Sequence, residues 1–210
     1  MKNHVETDLS NASVVRLKTP FLTNHEIVSG IKLGDPKAAE ALVDRFGVSI
    51  DRRVWRLLGA DSEHHDVVQQ VYAQILGSIK NLREADALVD WITKVTVNIV
   101  RNELRRRKYR RIVKFDDVPA QKLVEVSDPE DRLRVLRGFK IMETMKVNER
   151  IAFTMRFIEG AELTDVAGAM GCSLSTAKRR IKRARDNFLK KAKRDPLLSS
   201  LIKEGAGDER

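Results

Sequence analysis

The stretch from Gly160 to Arg185, GAELTDVAGAMGCSLSTAKRRIKRAR, decides how this part of the chain folds. Its first half places apolar residues at helical spacing and then reaches Gly171, which lacks a Cβ and can end a helix at positive φ at little cost. Ser173 follows, and its hydroxyl can cap a second helix by accepting a hydrogen bond from an early backbone N–H. The stretch therefore predicts a helix-turn-helix.

The second predicted helix has one apolar stripe and is basic elsewhere. Ala177, Ile181 and Ala184 share the stripe, and the rest of the surface carries Lys178, Arg179, Arg180, Lys182, Arg183 and Arg185. A cationic helix held against a shorter helix suits the major groove of DNA. The alternative is an ordinary helical hairpin whose basic residues are only solvated.

The charge of the whole chain also favours a polyanionic partner. The 210 residues carry a formal net charge of +10, with a pI near 9.9. Basic residues concentrate in two blocks, seven between Arg101 and Arg111 and ten between Lys178 and Arg194. Two distant blocks indicate two separate contacts with nucleic acid, although a single charge run is usually a solvated helix face.

Composition narrows the remaining classes of protein. Cys172 is the only cysteine, so no disulfide can form within the chain. The first eleven residues are mostly polar, and no apolar stretch is long enough for a bilayer. We expect a soluble, cytoplasmic protein without membrane insertion. Five prolines, 11 glycines and few aromatic residues favour an all-α fold.

Apolar periodicity divides the chain into two small helical domains joined by a flexible linker. Asp35 and Pro36 mark the start of a helix with the apolar face Ala39, Leu42, Val43, Phe46, Ile50, Val54, Leu57 and Leu58. A second helix is predicted from residue 61 or 62, and a third from about 88 to 109. Pro119 and Pro129 interrupt the pattern that follows. The predicted divisions are a tail at 1–23, a helical domain at 24–111, a linker at 112–137, a helix-turn-helix domain at 138–193 and a tail at 194–210, which we expect to fray.

This layout resembles bacterial RNA polymerase sigma factors of the extracytoplasmic-function type, which have regions 2 and 4 of the sigma-70 family only. The helix-turn-helix resembles region 4 through Gly160, Val166, Ala167, Met170, Gly171, Ser173, Thr176, Lys178, Arg180, Arg183 and Ala184. The segment from Glu63 to Tyr72 resembles region 2, with Gln70 in place of the usual Glu, and Asp90 to Asn98 resembles the Thr-Trp-Leu-x-x-Ile-Ala-x-Asn motif that follows it.

The resemblance implies a protein that directs core RNA polymerase to specific promoters. The region 4-like helix-turn-helix would read the −35 element through Ser173, Ser175, Thr176, Lys178, Arg179, Arg180 and Arg183. The region 2-like domain would melt and read the −10 element through Lys94, Asn98, Arg101, Asn102, Arg105 and Arg106, and would bind the polymerase clamp through Asp66, Gln69 and Gln70. The range 82–88 lacks the Gly and the second Phe of the family's base-binding loop.

Residue chemistry supports some of these roles directly. Asn98 has both a donor and an acceptor, so it can read an exposed base edge, or alternatively satisfy backbone groups within the bundle. Arg179 can pair with guanine, whereas Lys178, Arg180 and Arg183 suit phosphates. Trp91 lies on the apolar side of its helix and is expected in the core.

Two other functions remain possible at this stage. A stand-alone helix-turn-helix regulator would bind duplex DNA without polymerase. An enzyme is disfavoured, because the sequence has no phosphate-binding Gly-rich loop, carboxylate cluster or nucleophile with its base. We therefore expect no catalysis, cofactor, metal site or small-molecule substrate. The resemblance adds an anti-sigma factor as a partner and, in the holoenzyme, association with the nucleoid. It leaves open the promoter sequence, the signal and whether the domains are compact or splayed.

Overall fold

The computed structural model describes residues 22–59, 63–113 and 128–205. Within these ranges the chain is helical and has no strand. Short 3-10 turns at Ile79–Asn81 and Ala85–Ala87 and a π-helical turn at Thr154–Ile158 join or extend the helices. The α-helices are α1 (Asn24–Lys32), α2 (Pro36–Leu58), α3 (His64–Ser78), α4 (Leu88–Val113), α5 (Pro129–Glu143), α6 (Val147–Phe153), α7 (Leu163–Met170), α8 (Leu174–Ala192) and α9 (Pro196–Gly205).

Local capping explains where the first helices begin. Thr23 and Glu26 form a capping box at α1, in which the Thr23 N–H donates to Glu26 Oε2 at 2.7 Å and the Glu26 N–H donates to Thr23 Oγ1 at 3.2 Å. Asp35 caps α2 by accepting from the Lys37 N–H at 2.9 Å, with Pro36 at the first helical position. The predicted start of α2 is therefore confirmed.

Helices α1 to α4 bury one apolar core. The apolar face predicted for α2 is largely buried, but Val43 is 37% exposed, and Ala38 and Ala41 lie inside instead. The close approach of α1 accounts for Ala38, because a Cβ added to Gly30 would lie 2.6 Å from the Cβ of Ala38. Only small side chains fit at that crossing.

The segment predicted as linker is shorter in the structure. Helix α4 continues to Val113, and α5 begins at Pro129, inside the predicted 112–137 span. Pro129 occupies the first turn of a helix, where it needs no backbone N–H, and Asp128 caps that turn by accepting from Glu130 N–H at 2.9 Å. Proline was therefore a start signal and not a break. The rest of the predicted linker, 114–127, lies outside the described residues.

A second core lies between α5, α6, α8 and α9. Phe153 stacks on Phe188 with ring centroids 4.7 Å apart, and the buried members of this core are Ile141, Met142, Met145, Phe153, Ala184, Ala192 and Leu198. Leu198 belongs to α9, in the segment that was expected to fray. Asp195 starts this helix by accepting from the N–H groups of Leu197 and Leu198 at 3.1 and 3.3 Å. The expectation of a frayed tail was therefore wrong for 196–205.

The two halves of the chain pack directly against each other. Helix α4 contacts α6 and α7, and one continuous buried cluster includes Leu104 of α4, Ile151 of α6, and Val166 and Met170 of α7. The sequence left this arrangement open. In the part of the chain that the structure describes, no helix has the length and apolar character required to cross a bilayer.

Substituting Leu42 tests the first core. Leu42 is fully buried, so Leu42→Ala should lower the free energy of unfolding by roughly 3 kcal/mol through lost burial and a residual cavity. Leu33→Ala is the matched control, because Leu33 is 87% exposed and its loss should change stability by less than about 0.5 kcal/mol. Urea denaturation measures both, and equal effects would contradict the assigned core.

Candidate nucleic-acid interface

The turn between α7 and α8 depends on Gly171. This residue adopts the left-handed conformation, with φ 61° and ψ 45°, and the Cys172 N–H donates to the carbonyl of Ala167 at 3.0 Å. A free carbonyl at the end of α7 is satisfied in this way while the chain reverses into α8. The predicted helix-turn-helix is confirmed in its helices and in the residue that separates them.

Helix α8 presents its basic residues to solvent. Ala177 and Ala184 are fully buried and Ile181 is 8% exposed, as the apolar stripe predicted. The exposed basic side chains are Lys178, Arg179, Lys182, Arg183 and Arg185, whereas Arg180 is half-buried. The helix therefore exposes a cationic face, while two alanines and an isoleucine on its opposite face pack into the interior.

The hydroxyl residues at the start of α8 are partly committed to capping. Ser173 Oγ accepts from the Thr176 N–H at 3.3 Å and also contacts Thr176 Oγ1 at 2.9 Å and Ser175 Oγ at 3.0 Å. Ser173 thus has a structural task besides the DNA contact predicted for it. Ser175 is exposed and Thr176 is half-buried.

A second polar row follows one side of α4. Lys94, Asn98, Asn102 and Arg105 are exposed and recur every three to four residues, so they lie along one helix face. The Oδ1 atom of Asn98 accepts from Arg101 Nη1 at 2.6 Å, which leaves the amide donors of Asn98 for another partner. Five of the six residues predicted for the −10 contact are exposed, the exception being Arg101.

Arg101 lies where the two polar rows meet. Its side chain is half-buried, and Nη2 donates to the backbone carbonyl of Met170 in the helix-turn-helix at 3.1 Å. Burial, together with the neighbouring guanidinium groups of Arg105 and Arg180, lowers the pKa of Arg101 below its usual value. A cation on α4 is therefore held by the turn that precedes α8.

The basic block at the end of α4 is anchored by a buried acid. Glu103 is 3% exposed and pairs with Arg106 at 2.8 Å and with Arg107 at 2.9 Å. Arg107 also approaches Glu63 at 3.5 Å, which ties α4 to the start of α3. Arg106 therefore has an intramolecular partner as well as its predicted DNA contact. Acids within one helical turn of arginines were the available sequence signal.

The loop between α3 and α4 buries its apolar residues. Leu82, Ala85 and Leu88 are at most 7% exposed, and Lys32 Nζ donates to the carbonyl of Leu82 at 2.8 Å. Arg83 and Asp86 are exposed. The residues that replace the family's loop motif thus serve the core of the bundle, and charged side chains form the loop surface.

The residues predicted to bind polymerase share one exposed surface. Asp66, Gln69 and Gln70 are exposed on α3, whereas Val67 and Val71 of the same helix are buried. Their spacing of three and four places them on neighbouring positions of the helix. Helix α3 packs against α2 and α4, and these three side chains lie on its exposed side.

Several contacts between distant parts of the chain were missed by sequence reasoning. Arg53 of α2 pairs with Glu159, which follows the π-helical turn, with Nε and Oε2 3.0 Å apart. Arg53 Nη1 also donates to Thr93 Oγ1 of α4 at 2.8 Å. Trp55 meets Phe139 edge to face at a centroid distance of 5.3 Å. No local pattern could reveal these pairs, because their members are far apart in the chain.

The chain matches family models in both of its halves. A model of sigma-70 region 2 matches residues 42–110, and a model of sigma-70 region 4 matches residues 140–187. The first match contains the polar row of α4 and the exposed face of α3. The second contains α7, the turn at Gly171 and most of α8.

Curated relatives and one solved structure extend this match. The ECF RNA polymerase sigma-E factor of Escherichia coli K12 is 28% identical over 176 residues, covering 79% of this chain and 92% of that protein. The sigma-E factor of Haemophilus influenzae is 28% identical over 179 residues, covering 79% of this chain and 93% of that protein. The structure of CnrH in complex with the cytosolic domain of CnrY has a TM-score of 0.56 at 18% identity, covers 86% of this chain and 97% of that one, and shows a shared fold.

Two glycines around the turn provide a matched test of its geometry. Gly171→Ala should lower the free energy of unfolding by about 1 kcal/mol, because an L side chain at φ 61° is strained. Gly168→Ala, inside α7 and with open space around its Cβ, should instead raise it by up to about 1 kcal/mol. Thermal unfolding of both variants measures the difference, and effects of the same sign would contradict the left-handed turn.

Proposed function

Because this chain belongs to the sigma-70 family of RNA polymerase sigma factors, in its extracytoplasmic-function (ECF) group, we propose that it directs core RNA polymerase to promoters through two separate DNA contacts. The observation that carries the proposal is the pair of exposed polar and cationic rows on α4 and α8, each within the part of the chain matched by one family model. A polymerase subunit that selects promoters needs two such contacts, whereas a single-site regulator needs one.

We propose that α8 reads the −35 element. Arg179 is exposed near the start of the helix, the end that enters the groove in helix-turn-helix proteins, and a guanidinium can bind guanine through two hydrogen bonds. Lys178, Arg180 and Arg183 would bind phosphates, with help from Ser175 and Thr176. Ser173 would act mainly by fixing the start of the helix.

We propose that α4 binds the −10 element. Asn98 and Asn102 would contact bases of the opened strand, because amides offer both a donor and an acceptor. Lys94, Arg101, Arg105 and Arg106 would neutralise phosphates and release counterions, so binding should weaken steeply with salt. Arg101 can do so only after it leaves the Met170 carbonyl.

Partners other than DNA follow from the same membership. The exposed face of α3 with Asp66, Gln69 and Gln70 would dock on the polymerase clamp. We further propose that the chain works by binding and without catalysis of its own, in the cytoplasm where polymerase is present. An anti-sigma factor that covers these surfaces would be its inhibitor.

Transcription by core RNA polymerase tests the proposal. Adding the protein to core enzyme on a library of genomic promoter fragments should produce discrete new start sites. Asp66→Arg should reduce their yield at least about tenfold, because it reverses a charge at the proposed clamp-binding surface. A tenfold loss corresponds to about 1.4 kcal/mol of binding free energy. Glu40→Arg, an exposed acid on α2, is the control and should leave the yield unchanged. Specific duplex binding without any new start site would instead establish a stand-alone regulator.

Two neighbouring cations separate base reading from phosphate binding. Arg179→Ala should relax base choice at one position of the −35 element, at a cost of about 1–3 kcal/mol for the preferred base. Lys178→Ala should weaken all sites about equally and reduce the slope of log affinity against log salt by about one. Selection from a randomised −35 library measures both, and identical base preferences in wild type and Arg179→Ala would refute the assignment of Arg179.

A further inference from the structure

We infer that a cleft between α4, α6 and α8 is a binding site for a small anion with several linked phosphates. The cleft has a volume of about 270 Å³, and the five cations that line it are Arg105, Lys146, Arg179, Arg180 and Arg183. We name it the cationic cleft. Binding of the anion is a property of the free protein, whereas its consequence for transcription rests on the proposed function.

The positive charge of the cationic cleft is not balanced by the part of the chain that the structure describes. None of the five cations forms an ion pair with a carboxylate there, and Glu149 is the one acid among the lining residues, which leaves an excess of four positive charges. Arginines elsewhere do have such partners, as Arg107 has in Glu103 and Arg156 has in Glu162. An anionic ligand would supply the missing counter-charge.

The half-buried Arg101 shows the effect of this charge on its surroundings. Burial, followed by the charges of Arg105 and Arg180, lowers the pKa of Arg101 below its usual value. Its guanidinium donates to Asn98 Oδ1 at 2.6 Å and to the Met170 carbonyl at 3.1 Å, and both of these acceptors are neutral. Three guanidinium groups therefore lie close together, and an anion in the cleft would stabilise all of them.

Linked phosphates suit the chemistry of the cleft. A guanidinium can bind phosphate oxygens through two parallel hydrogen bonds, and a lysine adds a point charge. One phosphate group carries at most about two negative charges at neutral pH, so several are needed to balance an excess of four. Asn148 also lines the cleft, and its amide N–H groups can donate to a further phosphate oxygen.

The size of the cleft favours a small ligand over a DNA duplex. Its volume of about 270 Å³ lies close to the lower end of the range for small-molecule sites, about 300–1,000 Å³. A duplex, whose major groove alone is about 12 Å wide, could touch only the rim of such a cleft. Lys146 and Asn148, at the start of α6, add contacts that neither proposed DNA-binding row contains.

A bound ligand would compete with promoter DNA. Arg105, Arg179, Arg180 and Arg183 line the cleft and also have contacts with DNA in the proposed function. The same guanidinium donors cannot bind a ligand phosphate and a DNA phosphate or base at one time. Occupation of the cleft would therefore lower the affinity of the protein for its promoters.

Isothermal titration calorimetry of the full chain with inorganic triphosphate, in the absence of divalent cations, tests the site. Wild type should bind one triphosphate per chain, and inorganic monophosphate should bind at least about tenfold more weakly because it has fewer charges. Equal affinities for the two anions would refute the requirement for linked phosphates. ATP is titrated in parallel: affinity no higher than that of triphosphate assigns recognition to the phosphate chain alone, and tighter binding assigns the ligand to nucleotides.

Three substitutions locate the site. Lys146→Gln should weaken triphosphate binding roughly tenfold through the loss of a charge-assisted hydrogen bond, and the Lys146 side chain makes no cap that α6 would lose. Lys182→Gln is the matched control, because Lys182 is an exposed cation of α8 outside the cleft, and it should change affinity less than about twofold. Glu149→Gln should tighten binding at least about twofold, since it removes the acid that repels phosphate.

Competition is measured in a complete promoter complex. The protein is mixed first with inorganic triphosphate and then with core RNA polymerase and a fluorescently labelled promoter, without nucleotide substrates. Triphosphate should reduce the fraction of promoter bound, and Lys146→Gln should need roughly tenfold more triphosphate for the same reduction. Without triphosphate this variant should bind the promoter as wild type does, because Lys146 lies outside both proposed DNA-binding rows.

Contrary results overturn the inference at defined points. Several triphosphates bound per chain, or equal losses in Lys146→Gln and Lys182→Gln, would show a general attraction between opposite charges and no site. Unchanged affinity in Glu149→Gln would contradict the placement of the ligand beside that acid. A tenfold loss of promoter affinity in Lys146→Gln without triphosphate would make the cleft part of the DNA interface. One triphosphate bound at the cleft by a protein that forms no promoter complex would overturn the proposed function and leave the site standing.

Discussion

The rest of the structure depends on helix α4, because its surface must face the first bundle, the helices α6 and α7, and solvent. Ile92, Val97 and Val100 are at most 2% exposed and belong to the large buried cluster that includes the first bundle. Another part of its surface packs against α6 and α7, and the remainder carries the polar row from Lys94 to Arg105. Because its apolar residues pack against neighbouring helices, few of them can be replaced by polar residues. The polar residues of α4 are therefore confined to its exposed face.

Polar and apolar contacts between the two halves differ in how strictly they define the packed arrangement. Apolar packing between α4 and α7 favours contact of any register, because burial is nondirectional. The Arg53–Glu159 pair and the Arg101–Met170 bond require defined geometry, since the hydrogen bond in each weakens when the donor moves by an ångström or more. Arg101, which would bind a phosphate in the proposed function, therefore also helps to define the packed arrangement.

Local signals in the sequence predicted much of this architecture. The start of α2, the turn at Gly171 and the two faces of α8 each follow from residues within one or two turns of helix, and the structure confirms them. Errors arose where one residue type has two local meanings. Pro129 was interpreted as a break, yet it opens a helix, with Asp128 supplying the cap. Val43 was placed in the core by periodicity alone, whereas it is 37% exposed, and the close approach of α1 accounts for the buried small side chain of Ala38.

By itself, the sequence determined the helical class, the helix-turn-helix and the two cationic rows, because capping, periodicity and charge act over a few residues. The tertiary structure alone decided that the two halves pack together, that Arg101 donates to the turn before α8, and that Arg53 meets Glu159. Those contacts join residues separated by 69 and 106 positions. Such partners are chosen by shape and by the need to compensate buried charge, and neither leaves a local pattern in the chain.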